Sequence, residues 1–389
     1  MRSGRVDLSR VQRPRRYPRV MVSQLRSSTP EADGFWMPGE YEPHGGCWMA
    51  WPRRPDNWRD DAGPARAAFA VVADTIALSE AVRIAANPGD GDGAEAMVNP
   101  GVTVVEIPSD DAWMRDIGPT FVVNEHGDVR GVDWQFNAWG GATGGLYASW
   151  DLDDAMAAAV CAHEQVGRYR APLVLEGGAI HADGEGTLLV TEECVLNPNR
   201  NPDLGRARIE QLLCEYTGSE RVVWLGLGVV DDETDGHVDN LACFVRPGVV
   251  ALTWTDDRND AQYERSLDAR RRLDAAVDAR GRSFEVHLLH QPGPLTVTDG
   301  EAAGVSAGLG TQPRRAGDRL AASYVNFYPA NDRIVMPLLD PAHDAAALAV
   351  LTDLFPDRGV HGVAAREILL GGGNVHCITQ PVPGPPRFA

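Results

Sequence analysis

Apolar residues recur at helical spacing in five alanine-rich stretches, at about 65–80, 152–166, 203–216, 260–280 and 343–355. Between them lie short β-branched runs at 102–107, 120–123, 173–175, 187–190, 221–225, 249–254, 284–289 and 333–336. Strands alternating with helices predict an α/β architecture. Several strands fall between successive helices, which suits a repeated ββαβ unit better than a doubly wound sheet. The residue identities themselves show no repeat. Two segments read as surface loops, 88–100 and 291–318, rich in Gly and Asp or in Gly, Pro and Thr. Neither has the monotony of an interdomain linker. The 389 residues are therefore expected to form a single catalytic domain over 34–380, between a disordered tail at 1–33 and a proline-rich tail at 381–389. The longest apolar run, about 155–162, falls short of the roughly 18 residues a membrane-spanning helix needs.

Charge narrows the partners. Thirty-six basic and 55 acidic residues give −19, a field that repels nucleic acid and anionic lipid and favours a cation. The first thirty residues hold eight arginines and only Asp7 as acid, so the remainder carries 28 basic and 54 acidic residues, or −26. No apolar stretch follows those arginines as in a secretory signal, so the tail is read as no address and the location as cytoplasmic. Met21 is an alternative start. The chain has no lysine, which removes Schiff-base chemistry, pyridoxal-phosphate attachment and the phosphate-binding lysine of P-loops. Its six cysteines show neither zinc-ribbon nor disulfide-scaffold spacing.

Four islands place polar residues among glycines and apolar residues: Trp-Met-Arg-Asp-Ile-Gly-Pro at 113–119, Leu-Glu-Gly-Gly at 175–178, Asp-Gly-His-Val-Asp-Asn at 235–240, and Gly-Gly-Gly-Asn-Val-His-Cys at 371–377. Such positions suit strand ends that converge on a pocket. Cys377 follows glycines that let the backbone present a thiol. It attacks only as thiolate, so it needs help from a cation; the alternative is one more inert buried cysteine. His237 and Asp239 flank one residue, a spacing that suits acid–base work. His181 and Asp183 repeat that spacing and could join His376 and Cys377 in a metal site. No established ligand pattern fits, however, and 183–186 reads more simply as a hairpin turn. Asp116 and Glu176 either pair with an arginine, Arg115 being adjacent, or await a cation. Of the tryptophans, Trp113 is the one expected on the wall of a cationic pocket.

Carboxylates with a thiol and an imidazole suit a guanidinium group, whose planar fork of donors fits carboxylates and whose carbon is electrophilic once its nitrogens are held. No dinucleotide fingerprint or P-loop competes.

At these islands the chain resembles the agmatine deiminases of the guanidine-modifying superfamily, within the Porphyromonas-type peptidylarginine deiminase family. The likeness runs in order over about 34–380. It starts with Met-Pro-Gly-Glu-Tyr-Glu-Pro at 37–43, Cys-Trp-Met-Ala-Trp-Pro at 47–52, and Asp-Ala-Trp-Met-Arg-Asp-Ile-Gly-Pro-Thr at 111–120. It continues through Asn-Ala-Trp-Gly-Gly at 137–141, 175–178, Thr-Glu-Glu-Cys at 191–194, Asn-Pro-Asn-Arg-Asn-Pro at 197–202 and 236–240. It closes with Ala-Ala-Ser-Tyr-Val-Asn-Phe-Tyr at 321–328 and Gly-Gly-Asn-Val-His-Cys-Ile-Thr-Gln at 372–380.

The resemblance implies a five-bladed pseudo-symmetric α/β propeller of ββαβ units with the site on its central axis, no cofactor, no metal, and a homodimer or higher homo-oligomer. It implies Cys377 as nucleophile, His237 as acid and base, Asp116 and Asp239 as guanidinium clamps, and Glu176 as a further catalytic carboxylate. The implied reaction hydrolyses agmatine to N-carbamoylputrescine and ammonia, in polyamine biosynthesis. Residues 228–235 depart from the family pattern, being one residue shorter and lacking its tyrosine. In that loop Glu233 and Asp235 are candidates to bind the substrate's distal amine, or else form a solvated acidic loop. An amidinotransferase using the same intermediate, a non-catalytic guanidine or polyamine binder, and a peptidylarginine deiminase remain competing readings.

Overall fold

The computed structural model describes residues 23–306, 308 and 311–385. Residues 1–22, with the alternative start at Met21, lie outside them.

The first sheet carries β1 (His44–Ala50), β2 (Val82–Ala86) and β3 (Val102–Glu106), all parallel. Parallel neighbours need a crossover, and helix α1 (Gly63–Ile76) supplies it between β1 and β2. Ala65, Phe69, Val72, Ala73 and Ile76 lie at three- and four-residue steps along α1 and are buried, so the pattern in the sequence becomes the packed face of the helix. Burying Phe69 alone is worth about 1.5–3 kcal/mol.

Four sheets then repeat one plan: an antiparallel hairpin, a helix, and a third strand parallel to the second. They are β4 (Thr120–Val123), β5 (Val129–Gln135), α2 (Met156–His163) and β6 (Gly167–Val174); and β7 (Ile180–Ala182), β8 (Thr187–Thr191), α3 (Arg206–Thr217) and β9 (Arg221–Leu225). Next come β10 (Ala242–Arg246), β11 (Val249–Trp254), α4 (Gln262–Ala275) and β12 (Glu285–His290); then β13 (Tyr328–Ala330), β14 (Arg333–Leu338), α5 (Asp344–Leu354) and β15 (Gly359–Ala364). The last strand, β16 (Gln380–Pro383), pairs antiparallel with β1 and gives the first sheet its missing outer strand. The chain therefore closes a ring of five ββαβ units with its own end, the propeller expected from the resemblance.

Two boundaries differ from expectation. Residues 23–33, read as tail, are packed: Ser23 is buried, and Arg26 N–H donates to Arg168 O at 2.8 Å. Residues 381–383, read as irregular because of their prolines, belong to β16. Pro381 and Pro383 are tolerated there because β16 is an edge strand, free to lack ladder donors.

In each unit the chain makes a short helix or turn just before the first strand. These are Met114–Ile117 before β4, Gly177–Ala179 before β7, Val238–Leu241 before β10, and turns at 324–325 and 375–378 before β13 and β16. Repetition of the fold thus brings five pre-strand turns to one place, and the polar islands sit on them.

Candidate active site

The pre-strand turns bring Asp116, Glu176, His237, Asp239 and Cys377 together, all buried. His237 Nδ1 lies 3.8 Å from Asp116 Oδ1, and its Nε2 lies 3.5 Å from Glu176 Oε2. Cys377 Sγ lies 3.7 Å from Asp239 Oδ2. At the centre is Gly178: a Cβ built there would fall 2.6 Å from His237 Nδ1, 2.9 Å from Asp116 Oδ1 and 3.0 Å from Asp239 Oδ2. Only a residue without a side chain lets these three groups converge.

Asp116 and Arg115 are neighbours in sequence but point apart. Asp116 meets no arginine: its Oδ1 accepts from Gly178 N–H and its Oδ2 from Trp139 Nε1, both at 2.9 Å. Arg115 donates instead to Glu40, at 2.5 and 3.3 Å. For Glu176 the salt-bridge reading is correct for one oxygen, since Arg200 Nε donates to Oε1 at 2.7 Å. Its Oε2 has no hydrogen-bond partner.

Burial pushes the Asp116 carboxyl up to about 6, reinforced by the charges of Asp239 and Glu176 and opposed by His237. Burial would also raise Glu176, but Arg200 and His237 overcome it and hold the group at about 2. His237 is raised well above its ordinary value: burial works against the cation, and Asp116 among others outweighs it. Burial, with the charges of Asp239 and Asp116, drives the Cys377 thiol well upward. The site without a cation therefore holds a neutral thiol beside an imidazolium.

Several supporting residues were not given these roles by the sequence. His376 lies between two carboxylates, its Nδ1 2.9 Å from Asp239 Oδ2 and its Nε2 2.9 Å from Glu40 Oε2. Burial opposes its protonation, as does Arg115, yet Glu40 and Asp239 raise it overall. That imidazole fixes Asp239 by Oδ2 and leaves Oδ1 buried and unpartnered. Asn326 Oδ1 accepts from His376 N–H at 2.9 Å, while its Nδ2 lies 3.3 Å from Cys377 Sγ. Arg115 N–H donates to Cys377 O at 3.1 Å. The signal for these residues was their place inside the islands, but sequence spacing gives no partner for a contact over 250 residues long.

The remaining candidates divide. Trp113 stacks on Trp58 at 5.1 Å, and its Nε1 donates to Asp111 at 3.1 Å. With Trp139, Tyr147, Glu233, Gln312 and Arg314 it lines a small enclosed cavity. Because Trp139 also holds Asp116, this cavity adjoins that carboxylate, with Trp113 on its wall. Glu233 accepts from Arg314 through Oε1, while Oε2 is buried and unpartnered. Asp235 is a correction: its Oδ2 accepts from Arg200 at 2.6 Å and Asn199 at 2.8 Å, and it does not line this cavity. Its charge is spent on holding Arg200, which in turn holds Glu176. A wider cleft of about 210 Å³ lies between residues 36–44 and β16. It reaches Glu40 and Arg115 but none of the five converging groups.

Arg200 is the keystone of the Glu176 side. Replacing it by Met strands the Glu176 carboxylate in the interior, an arrangement that costs about 3–5 kcal/mol. We expect Arg200→Met to melt well below the parent in a thermal scan; an unchanged melt would show that Glu176 does not depend on this pair.

Two groups have ligand-like side chains: Glu40, His181 and His376, and Glu176, Cys194 and His237. The hairpin turn expected at 183–186 does join β7 to β8; His181 Nδ1 accepts from Phe244 N–H at 3.3 Å, and Asp183 Oδ1 from the N–H groups of Glu185 and Thr187 at 2.8 Å.

Residues 36–383 match the family of Porphyromonas-type peptidyl-arginine deiminases. The agmatine deiminase of Pseudomonas aeruginosa is 54% identical over 361 residues, which cover 92% of this chain and 98% of that protein. The solved agmatine deiminase of Enterococcus faecalis aligns with a TM-score of 0.91 at 45% identity, covering 94% of this chain and 100% of that one. A C. jejuni agmatine deiminase at 24% identity has the same fold, with a TM-score of 0.78 over 91% of this chain and 97% of that one. Among the described residues, no helix is long and apolar enough to cross a membrane. Four of the five pre-strand turns carrying a thiol, an imidazole and three carboxylates together, with these likenesses over nearly the whole length, place the chain in the Porphyromonas-type peptidyl-arginine deiminase family.

Proposed function

We propose that the chain is an agmatine deiminase, hydrolysing agmatine to N-carbamoylputrescine and ammonia through a covalent amidino-cysteine. The observation that carries this is the disposition of charge around Cys377. Two buried carboxylates, Asp116 and Asp239, flank the site with an imidazole beside each and no arginine, and a guanidinium brings a planar fork of donors that both can accept.

On this reading the bound guanidinium cancels the two charges that, with burial, keep the proton on Cys377, and the thiol gives that proton to solvent. The thiolate attacks the guanidinium carbon, forming a C–S bond and a tetrahedral intermediate. His237, poised as imidazolium by Asp116 and Glu176, gives its proton to one amino nitrogen, and the C–N bond breaks to release ammonia. The neutral imidazole then takes a proton from water, whose oxygen attacks the amidino carbon. Collapse expels the thiolate and leaves the ureido product. Glu176 touches His237 and fixes its orientation, in the manner of the third member of a triad.

Glu233 Oε2 is the group we assign to the distal amine. Glu233→Gln is expected to raise KM for agmatine roughly tenfold, the scale of one charge-assisted contact, with kcat within about threefold. A KM that does not move would remove Glu233 from substrate binding.

The direct test measures ammonia and ureido product from agmatine, arginine and a blocked arginyl peptide. Turnover of agmatine alone, without an added amine acceptor, supports the hydrolase; dependence on an acceptor would make it an amidinotransferase. We further place the activity in polyamine formation, in the cytoplasm, with residues 23–383 as one catalytic domain that assembles as a homodimer. Sizing of the purified chain by light scattering checks the last point.

A further inference from the structure

The Nε2 side of His237 faces a second thiol that the reaction does not use. Cys194 follows β8 on the short helix Glu192–Val195, where its N–H donates to Thr191 Oγ1 at 3.4 Å. Thr191 Oγ1 also donates to Gly236 O at 2.6 Å, which ties this turn to the segment bearing His237. Ligand atoms of Cys194, Glu176 and His237 lie within 4.8 Å of one another, and all three residues are buried. Two of those atoms, Glu176 Oε2 and His237 Nε2, have no hydrogen-bond partner. An imidazole, a carboxylate and a thiol aimed at one point make the mixed donor set that zinc accepts.

The other group of ligand-like residues lacks this property. Both oxygens of Glu40 are taken up by Arg115 and His376, so nothing there is unspent.

We propose that Glu176, Cys194 and His237 form an inhibitory site for a thiophilic divalent cation of the zinc type. Tetrahedral zinc, with bonds of about 2.0–2.3 Å, needs ligand atoms roughly 3.3–3.8 Å apart. Glu176 Oε2 and His237 Nε2 already meet this at 3.5 Å, and Cys194 completes the set by a small side-chain movement. On binding, the Cys194 thiol and the Nε2–H of the His237 imidazolium each give a proton to solvent, and the ring binds as the neutral imidazole through Nε2. Glu176 ligates through Oε2 and keeps Oε1 on Arg200. The two anionic ligands balance the charge of the ion.

The consequence for turnover rests on the reading of His237 as acid and base. With its Nε2 lone pair committed to the metal, the ring keeps its hydrogen on Nδ1 and can neither deliver a second proton nor take one from water. The space between Asp116 and Asp239 stays open on the Nδ1 side. The ion therefore lowers kcat, and excess agmatine does not relieve it.

The test separates binding from inhibition. Cobalt(II) is titrated into the Cys377→Ala protein, where a thiolate-to-cobalt absorption band at one equivalent reports Cys194. The band should vanish in the Cys377→Ala/Cys194→Ser protein, and in the Cys194→Ala counterpart, which keeps a small uncharged side chain in the buried position. In the parent enzyme, buffered zinc should depress kcat with KM within about twofold, and loss of this ligand in Cys194→Ser should demand at least about tenfold more zinc for the same effect. A band that survives loss of Cys194, or one that forms only when Cys377 is present, overturns the site. Zinc inhibition relieved by agmatine overturns it too, by locating the ion at the nucleophile. Binding without loss of turnover would leave the site standing and overturn the switch, together with the role given to His237.

Discussion

Cys377→Ser abolishes turnover, by on the order of 10⁴-fold or more, while the protein keeps its fold and melting temperature. Serine fills the same space and can still meet Asn326 and Asp239, so the loss reads chemistry and not packing. The finer expectation concerns how the thiol ionises. Burial and the charges of Asp239 and Asp116 hold its pKa well above the ordinary thiol value, and each unit of such a shift is a factor of ten in thiolate. At neutral pH the free enzyme should react sluggishly with neutral iodoacetamide, and faster as pH rises. A cationic chloroacetamidine carries the charge that a guanidinium would bring, and should alkylate Cys377 about 100-fold faster than the neutral reagent at pH 7.5. Mass spectrometry of the modified peptide checks the site. Equal rates for the two reagents would show that the thiol is ionised without a cation, and the proposed order of events would fail.

Gly178→Ala is expected to cut kcat by about 10² or more, the usual result of misplacing catalytic groups by an ångström. The added methyl meets His237 Nδ1, Asp116 Oδ1 and Asp239 Oδ2 at 2.6, 2.9 and 3.0 Å, so all three must retreat from the point where they converge. Overpacking of this kind costs about 1–3 kcal/mol, which lowers the melting temperature without unfolding the chain. Steady-state kinetics beside a thermal melt separate the two effects. An active Gly178→Ala enzyme would mean that the three groups do not act from these positions.

The main elements of the fold were legible where local pattern was strong. Strands β4, β9 and β11 lie where the β-branched runs predicted them, and each long helix overlaps its alanine-rich stretch. Eight strands, β1, β2, β5, β7, β10, β13, β15 and β16, fell outside those runs, and three of them lacked the pattern for identifiable reasons. β1 opens His-Gly-Gly, β15 holds two glycines and β16 two prolines. Their strand character comes from a neighbour that pairs with them, not from their own preference. The helix read over 152–166 is broken into Asp151–Asp154 and Met156–His163. Asp153 is buried there, accepting from the N–H groups of Asp110 and Asp111 and from Tyr147.

The sequence by itself determined the chemical inventory. It carries no lysine, it has an acidic body, and it offers a cysteine, a histidine and three carboxylates embedded among glycines, as short-range features that composition and neighbours reveal. It also determined that the units alternate strands and helices. Only the tertiary structure decided who meets whom. Arg115 turns from its neighbour Asp116 to Glu40, Arg200 takes Glu176 and Asp235, and His376 bridges Asp239 to Glu40. Those pairings join residues 24 to 336 positions apart. They are fixed by closing five sheets into a ring, because buried charges must find partners across the whole fold once water is excluded.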